Sequence, residues 1–151
     1  MTSTNNSEIL SVKQASEHDI KSIMRLANKT NEIKLGGTWM TEQEVKSCLD
    51  NEKGIFLVCR DKGDNLIGFV YGIAETSDTA CLTYIVVDEF NRKKGVGEKL
   101  FNHWHASILH TGIKKIYAMS TNYNASKFLV ALGFHDHQQL TYLERSSGNV
   151  Q

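Results

Sequence analysis

Apolar residues along this chain switch between helical and strand spacing, and the switches predict its elements. Residues 8–13 predict a short first strand. Ser16 stands three residues before Asp19, the spacing of a capping box, and Ile20, Ile23, Met24 and Ala27 follow at helical intervals. Thr41 and Glu44 repeat that spacing, with Met40 and Val45 placed as a hydrophobic staple, so a second helix is expected to reach Asp50. Between these helices "TNEIKLGGTWM" holds the adjacent Gly36 and Gly37 and reads as a loop. Three strands follow in "GIFLVCR", "LIGFVYGIAET" and "TACLTYIVV", separated by the turn sequences "DKGDN" and "SD". Their runs are almost continuously apolar, which predicts an antiparallel meander covered on both faces. After Gly97, the residues Leu100, Phe101, Trp104 and Ile108 mark one side of a helix that stops at Gly112, a natural C′ residue. "IKKIYAMS" is a further strand. Asn124 is placed to cap a helix that contains Phe128, Leu129 and Leu132 and ends at Gly133, and a last strand is expected over 137–145.

This order reads as one mixed α/β domain over residues 1–151, with 1–7 and 146–151 expected to fray. The length allows a full core, and 40% apolar with 23% charged residues is ordinary globular composition. Basic and acidic residues balance at 17 each, so neither nucleic acid nor an anionic membrane is expected as a partner. Cys48, Cys59 and Cys81 are widely spaced and form no CxxC, which predicts neither zinc site nor disulfide framework and points to the reducing cytoplasm. His103 and His105 stand two apart on a helix and do not share a face, so no metal site is expected there. The polar start "MTSTNNSE" lacks the apolar core of a signal peptide, and no apolar run approaches a membrane span.

One stretch departs from this plain picture. "VVDEFNRKKGVGEKLF" passes from a strand through Arg92, Lys93 and Lys94 to Gly95 and Gly97 at the mouth of a helix. A helix N-terminus offers unpaired N–H groups and the positive end of the macrodipole. Glycines without a Cβ let an anion approach the backbone, and the three cations add charge, which suits a pyrophosphate. A P-loop is excluded because G-x-x-x-x-G-K-[ST] is absent, and a dinucleotide fingerprint fails because Leu100 stands at its third glycine. The competing reading is a surface turn with solvated cations.

The element order and two motifs resemble the GNAT superfamily of N-acetyltransferases. "RKKGVG" is similar to that family's acyl-coenzyme A pyrophosphate loop, "YIVVDEFNR" to the strand and loop before it, and "NYNASKFLVALGF" to its later Asn-x-x-Ala…Gly-Phe block. The resemblance implies a central, mostly antiparallel sheet of about six to seven strands flanked by about four helices. It implies acetyl-coenzyme A as co-substrate and no metal. The cofactor residues it implies are Ile85, Val86, Val87, Arg92, Lys93, Lys94, Gly95, Val96, Gly97, Glu98, Asn122 and Ser126. Ile85 and Val87 would offer backbone groups to the pantetheine arm, and Val87 an N–H to the oxyanion. The corner would take the pyrophosphate mostly through backbone amides, Glu98 serving only by its N–H. Asn122 reads equally well as a strand-end turn cap.

Two departures matter. A tyrosine acid usual four residues before the Gly-Phe is replaced by Leu129, so Tyr123 or a bound water is the expected proton donor to the leaving thiolate. A strand glutamate found in some members, eleven residues before the loop arginine, is here Cys81, which leaves Glu75, Tyr84, Ser120, Tyr123 and His135 as bases by position alone. An α-amino group with pKa near ~8 is far more often neutral at pH 7 than a lysine near ~10.4, a gap of roughly 3.4 kcal/mol. The expected acceptor is therefore a primary amine of a small molecule or a peptide N-terminus. The alternative is an acyl-coenzyme A-binding sensor with little turnover. A homodimer through the C-terminal strand is expected from Leu140, Tyr142 and Leu143 on an exposed edge.

Overall fold

The computed structural model describes residues 11–29, 40–119, 123–135 and 145. Five strands form one sheet in chain order: β1 Ser11–Gln14, β2 Gly54–Arg60, β3 Leu66–Ala74, β4 Thr79–Val87 and β5 Lys115–Ala118. β1 to β4 pair antiparallel, and β5 runs parallel to β4. Four helices flank the sheet, α1 Ile20–Lys29, α2 Glu42–Asp50, α3 Val96–Leu109 and α4 Tyr123–Ala131. The architecture is the mixed α/β one expected, with five strands among the described residues instead of six to seven. The Gly36–Gly37 loop with Trp39 lies outside the described residues, as does the 137–145 strand except for Arg145.

Local chemistry explains the helix starts. The Ser16 N–H donates to Asp19 Oδ2 at 2.9 Å, closing a short 3-10 turn, Glu17–Asp19, that leads into α1. Thr41 and Glu44 make a reciprocal box, with Glu44 N–H donating to Thr41 Oγ1 at 3.1 Å and Thr41 N–H to Glu44 Oε1 at 2.8 Å. Met40 and Val45, the expected staple, are both buried. Helix ends follow the glycines. Gly112 adopts φ 91° and Gly133 φ 102°. At Gly133 the Phe134 N–H reaches the Leu129 carbonyl at 3.0 Å and the Gly133 N–H the Val130 carbonyl at 2.9 Å, a complete Schellman motif. Asn124 is not the cap expected of it, because α4 already begins at Tyr123 and puts Asn124 in the first turn.

The meander is covered on both faces, as its continuous apolar runs require. α1 and α2 pack on one face over Phe56, Val58, Phe69, Tyr71 and Val86. α3 packs on the other through Leu100, Phe101, Trp104 and Ile108 over Leu57, Cys59, Val70 and Leu82. The β3–β4 register shifts between Tyr71 and Gly72, so Thr83 is the extra residue of a bulge in β4. Gly72 belongs to this adjustment. A Cβ there would stand 2.3 Å from Trp104 Cζ2 and 2.6 Å from the Cys81 carbonyl oxygen, so the glycine makes room for the indole.

Candidate active site

β5 pairs with β4 only from Thr79–Lys115 to Leu82–Ala118, while β4 runs on to Val87. Past the bulge the two strands part and leave a cleft of about 840 Å³. Register decides which backbone faces it. The Asp88 N–H donates to the Ile67 carbonyl of β3 at 2.8 Å, and Val87 stands opposite Gly68. Alternation along an antiparallel ladder therefore turns the N–H and C=O of Val87 and Ile85 away from β3, into the cleft. Val86 takes the opposite parity: its backbone turns to β3 and its side chain is buried on the α1–α2 side.

The basic corner closes the wide end of this cleft. Lys93 adopts φ 63° and Gly95 φ 82°, two left-handed residues that bend the chain into α3. The first helical bond runs from Lys99 N–H to the Gly95 carbonyl at 3.0 Å, and Gly95 has no side chain to cap the turn. The N–H groups of Val96, Gly97 and Glu98 are thus without partners inside the helix. Lys93 and Lys94 are exposed, and Arg92 donates from Nε to the Val87 carbonyl at 3.3 Å. Before the corner, Asp88 accepts from Phe90 N–H and Asn91 Nδ2 and pairs with Lys29 Nζ at 2.9 Å. Partial burial opposes ionisation of Asp88, but the hydrogen bond and charge of Lys29 hold its carboxyl below the usual range.

The two glycines of the corner do different work. A Cβ on Gly95 would meet nothing within 4 Å, so its backbone is open, as an approaching anion requires. A Cβ on Gly97 would lie 2.9 Å from Phe128 Cζ and 3.6 Å from Val87 Cγ2. Gly97 has a packing reason to be glycine beside its place in the cleft, because α4 sets its phenyl ring there.

The cleft brings together Ile85, Val86, Val87, Arg92, Lys93, Gly95, Val96, Gly97 and Glu98 of the expected site, with Lys94 beside them on the corner. Ser126 is half-buried on α4; Asn122 lies outside the described residues, and Tyr123 is described only as the first residue of α4. Leu129 lines the cleft and packs on the α3 side, so an aliphatic wall stands where the acid tyrosine was missed. Cys81, at the strand-glutamate position, and Tyr84, one of the bases by position, also line the cleft, together with Thr83 and Met119, which spacing had not marked. Burial pushes the Cys81 thiol and the Tyr84 phenol upward, so neither is ionised near neutrality. Tyr84 stacks on Tyr71 with ring centroids 6.4 Å apart. Only the β4–β5 pairing, a contact distant in sequence, could have marked Thr83 and Met119.

A sheet split beside an uncapped, basic helix start is the architecture of a known class. The acetyltransferase (GNAT) family model matches residues 20–134, and the chain belongs to that family. Solved structures of similar fold include the aminoglycoside 6'-N-acetyltransferase AAC(6')-Ih from Acinetobacter baumannii, at 16% identity over 92% of this chain and 99% of that one, TM-score 0.74. AAC(6')-Iy in complex with the bisubstrate analog CoA-S-monomethyl-acetylneamine is similar at 14% identity over 91% and 99%, TM-score 0.73. A tetramutant of the BH1408 protein from Bacillus halodurans matches at 17% identity over 89% and 99%, TM-score 0.76. A search of curated proteins found no match.

Proposed function

We propose that this chain transfers an acetyl group from acetyl-coenzyme A to a primary amine of a small molecule or of a peptide N-terminus. The observation that carries this is the continuity of the cleft: strand backbone at Ile85 and Val87 that β3 leaves unpaired, with the Val87 carbonyl held by Arg92, leads into the open N-terminus of α3. Bound acetyl-coenzyme A supplies an activated thioester. The chain's own groups do the rest. Ile85 and Val87 accept the pantetheine arm as an added strand, with Val86 stiffening the wall from behind. N–H groups of residues 95–98 hold the pyrophosphate, with Arg92, Lys93 and Lys94 supplying charge. Val87 N–H faces the charge that develops on the acyl oxygen, a donor worth roughly 3 kcal/mol when preorganised. Asn122 and Ser126 contact the arm, and Tyr123 returns a proton to the thiolate. Two of the similar structures are named as aminoglycoside acetyltransferases or hold an aminoglycoside-derived bisubstrate, which supports an amine-bearing small molecule as acceptor.

Leu129 favours one second reading, a coenzyme-binding sensor with little turnover, because it offers no proton. Two measurements decide. Acetyl-coenzyme A at one hundred times its Kd is expected to add about 2.7 kcal/mol of stability. That is roughly 5–10 °C in Tm for a domain of this size. Arg92→Ala combined with Lys94→Ala is expected to shrink the shift, and no shift in wild type would refute the cofactor assignment. Thiol release with an amine panel then separates enzyme from sensor.

A further inference from the structure

We propose that Glu75 and Tyr117, beside the narrow end of the cleft, form the proton-accepting pair that makes the acceptor amine neutral. The inference rests on the acetyl-transfer reading above. Its basis is a juxtaposition that no local sequence pattern announces. Tyr117 stands opposite Cys81 in the parallel β4–β5 register. Ala80 and Leu82 face the α3 core, so Cys81 and its neighbour Tyr117 face the other side of the sheet. From the strand position paired with Cys81, the Tyr117 hydroxyl donates to Glu75 Oε1 at 2.6 Å. Cys81 and Met119, two residues beyond Tyr117 on the same face, both line the cleft, and the Tyr117–Glu75 pair stands next to them just outside that lining. Glu75 is held in place by its own N–H, which donates to the Thr79 carbonyl at 2.9 Å across the β3–β4 hairpin.

The chemistry follows from the donor direction. Because the phenol gives its hydrogen to Glu75, its oxygen lone pairs are free to accept from an incoming ammonium group. The ammonium proton moves to the Tyr117 oxygen while the phenolic proton moves to Glu75, leaving R–NH2, a neutral phenol and a carboxylic acid. The amine nitrogen then bonds to the thioester carbon and the C–S bond breaks. Tyr123 gives its proton to the thiolate sulfur and is reprotonated by the second nitrogen proton, and Glu75 returns its proton to solvent. The Glu75 hydrogen bond and burial raise the Tyr117 pKa, which keeps the phenol protonated as the relay requires. Among the described residues, other titratable groups around the pair are few. Cys81 faces it from β4 and is buried, while Lys115 on β5 and Lys53 before β2 are exposed. Asp78 in the hairpin is occupied by the Thr76 and Thr79 hydroxyls at 3.1 and 3.4 Å.

The test compares wild type, Glu75→Gln, Glu75→Asp and Tyr117→Phe. Glutamine still accepts the Tyr117 hydrogen bond but cannot take a proton, so fold and cofactor binding are expected to survive. Thiol release from acetyl-coenzyme A is followed from pH 5.5 to 9.5 with neamine, glycinamide and spermidine. At pH 7, kcat/KM is expected to fall about 100-fold in Glu75→Gln and Tyr117→Phe, the ordinary size of a general-base effect. Glu75→Asp is expected to recover part of it. The loss is expected to fade toward pH 9.5 for glycinamide, whose α-amine is largely neutral there without help, and to persist for the more basic amines of spermidine; the acetyl-coenzyme A melting shift is expected to match wild type throughout. Variants that keep the wild-type pH profile, or that lose the melting shift along with activity, would overturn the pair. Wild type that is stabilised by acetyl-coenzyme A yet releases thiol with none of the three amines would overturn the transfer reading and the pair together.

Discussion

Replacing Gly97 with alanine adds one methyl group where α3 meets α4. Alanine is preferred to glycine inside a helix by up to ~1 kcal/mol, so an unobstructed position would gain stability. The position is obstructed. The new Cβ would lie 2.9 Å from Phe128 Cζ and 3.0 Å from Cε1, inside the carbon–carbon optimum of about 3.5–4.0 Å. Forcing a methylene into a packed site costs roughly 1–3 kcal/mol. Set against the propensity gain, the expected net loss is about 0–2 kcal/mol, or up to about 8 °C in Tm for a chain of this length. Phe128→Leu removes the far edge of the ring, so Gly97→Ala is expected to be better tolerated in that background, with a coupling of about 0.5–3 kcal/mol. Urea denaturation of wild type, both single variants and the double variant measures this directly. Gly97→Ala that stabilises the protein equally with and without the Phe128 ring would refute the packing role, and would leave the glycine only its place in the cleft.

Gly95→Ala is expected to behave differently: its Cβ meets open space, but an L residue at φ 82° costs roughly 1–2 kcal/mol, which urea titration reports and Phe128→Leu leaves untouched. The Lys29–Asp88 pair carries an acid dependence. Asp88 has a depressed folded pKa, so it stabilises the fold above the ordinary carboxylate value near ~3.9, and that contribution disappears as the pH falls through the folded value. Lys29→Met is therefore expected to be less stable than wild type at pH 7, with the gap closing in strong acid; a gap independent of pH would refute the pairing. Tyr123→Phe is expected to lower kcat while leaving acetyl-coenzyme A affinity unchanged, and an unchanged kcat would remove it as the acid.

What could be read beforehand was local. Thr41 with Glu44, the meander strands and the glycine helix ends each follow from a few neighbouring residues, and each has the expected place. So does the corner at 92–97, because strand, cations and helix start are contiguous. What escaped was everything set by distant pairing. The packing role of Gly97 is one such case, because Phe128, thirty-one residues on, is invisible from the motif. Asn124 has the chemistry of a cap, but α4 starts one residue before it. Glu75 and Tyr117 lie forty-two positions apart and meet only because a parallel crossover sets β5 beside β4.

That crossover also divides the molecule by stability. β5 joins the sheet through four residue pairs, and no described side chain of α4 is fully buried. The body from β1 to α3 holds its own two-sided core. The β5–α4 segment is accordingly the unit expected to open first, with amide hydrogens exchanging through partial unfolding well below the global free energy. A ligand in the seam touches both parts at once. Its binding energy therefore appears as cooperativity, fastening the loosest unit to the rigid one, and exchange protection across residues 115–131 becomes a measure of occupancy.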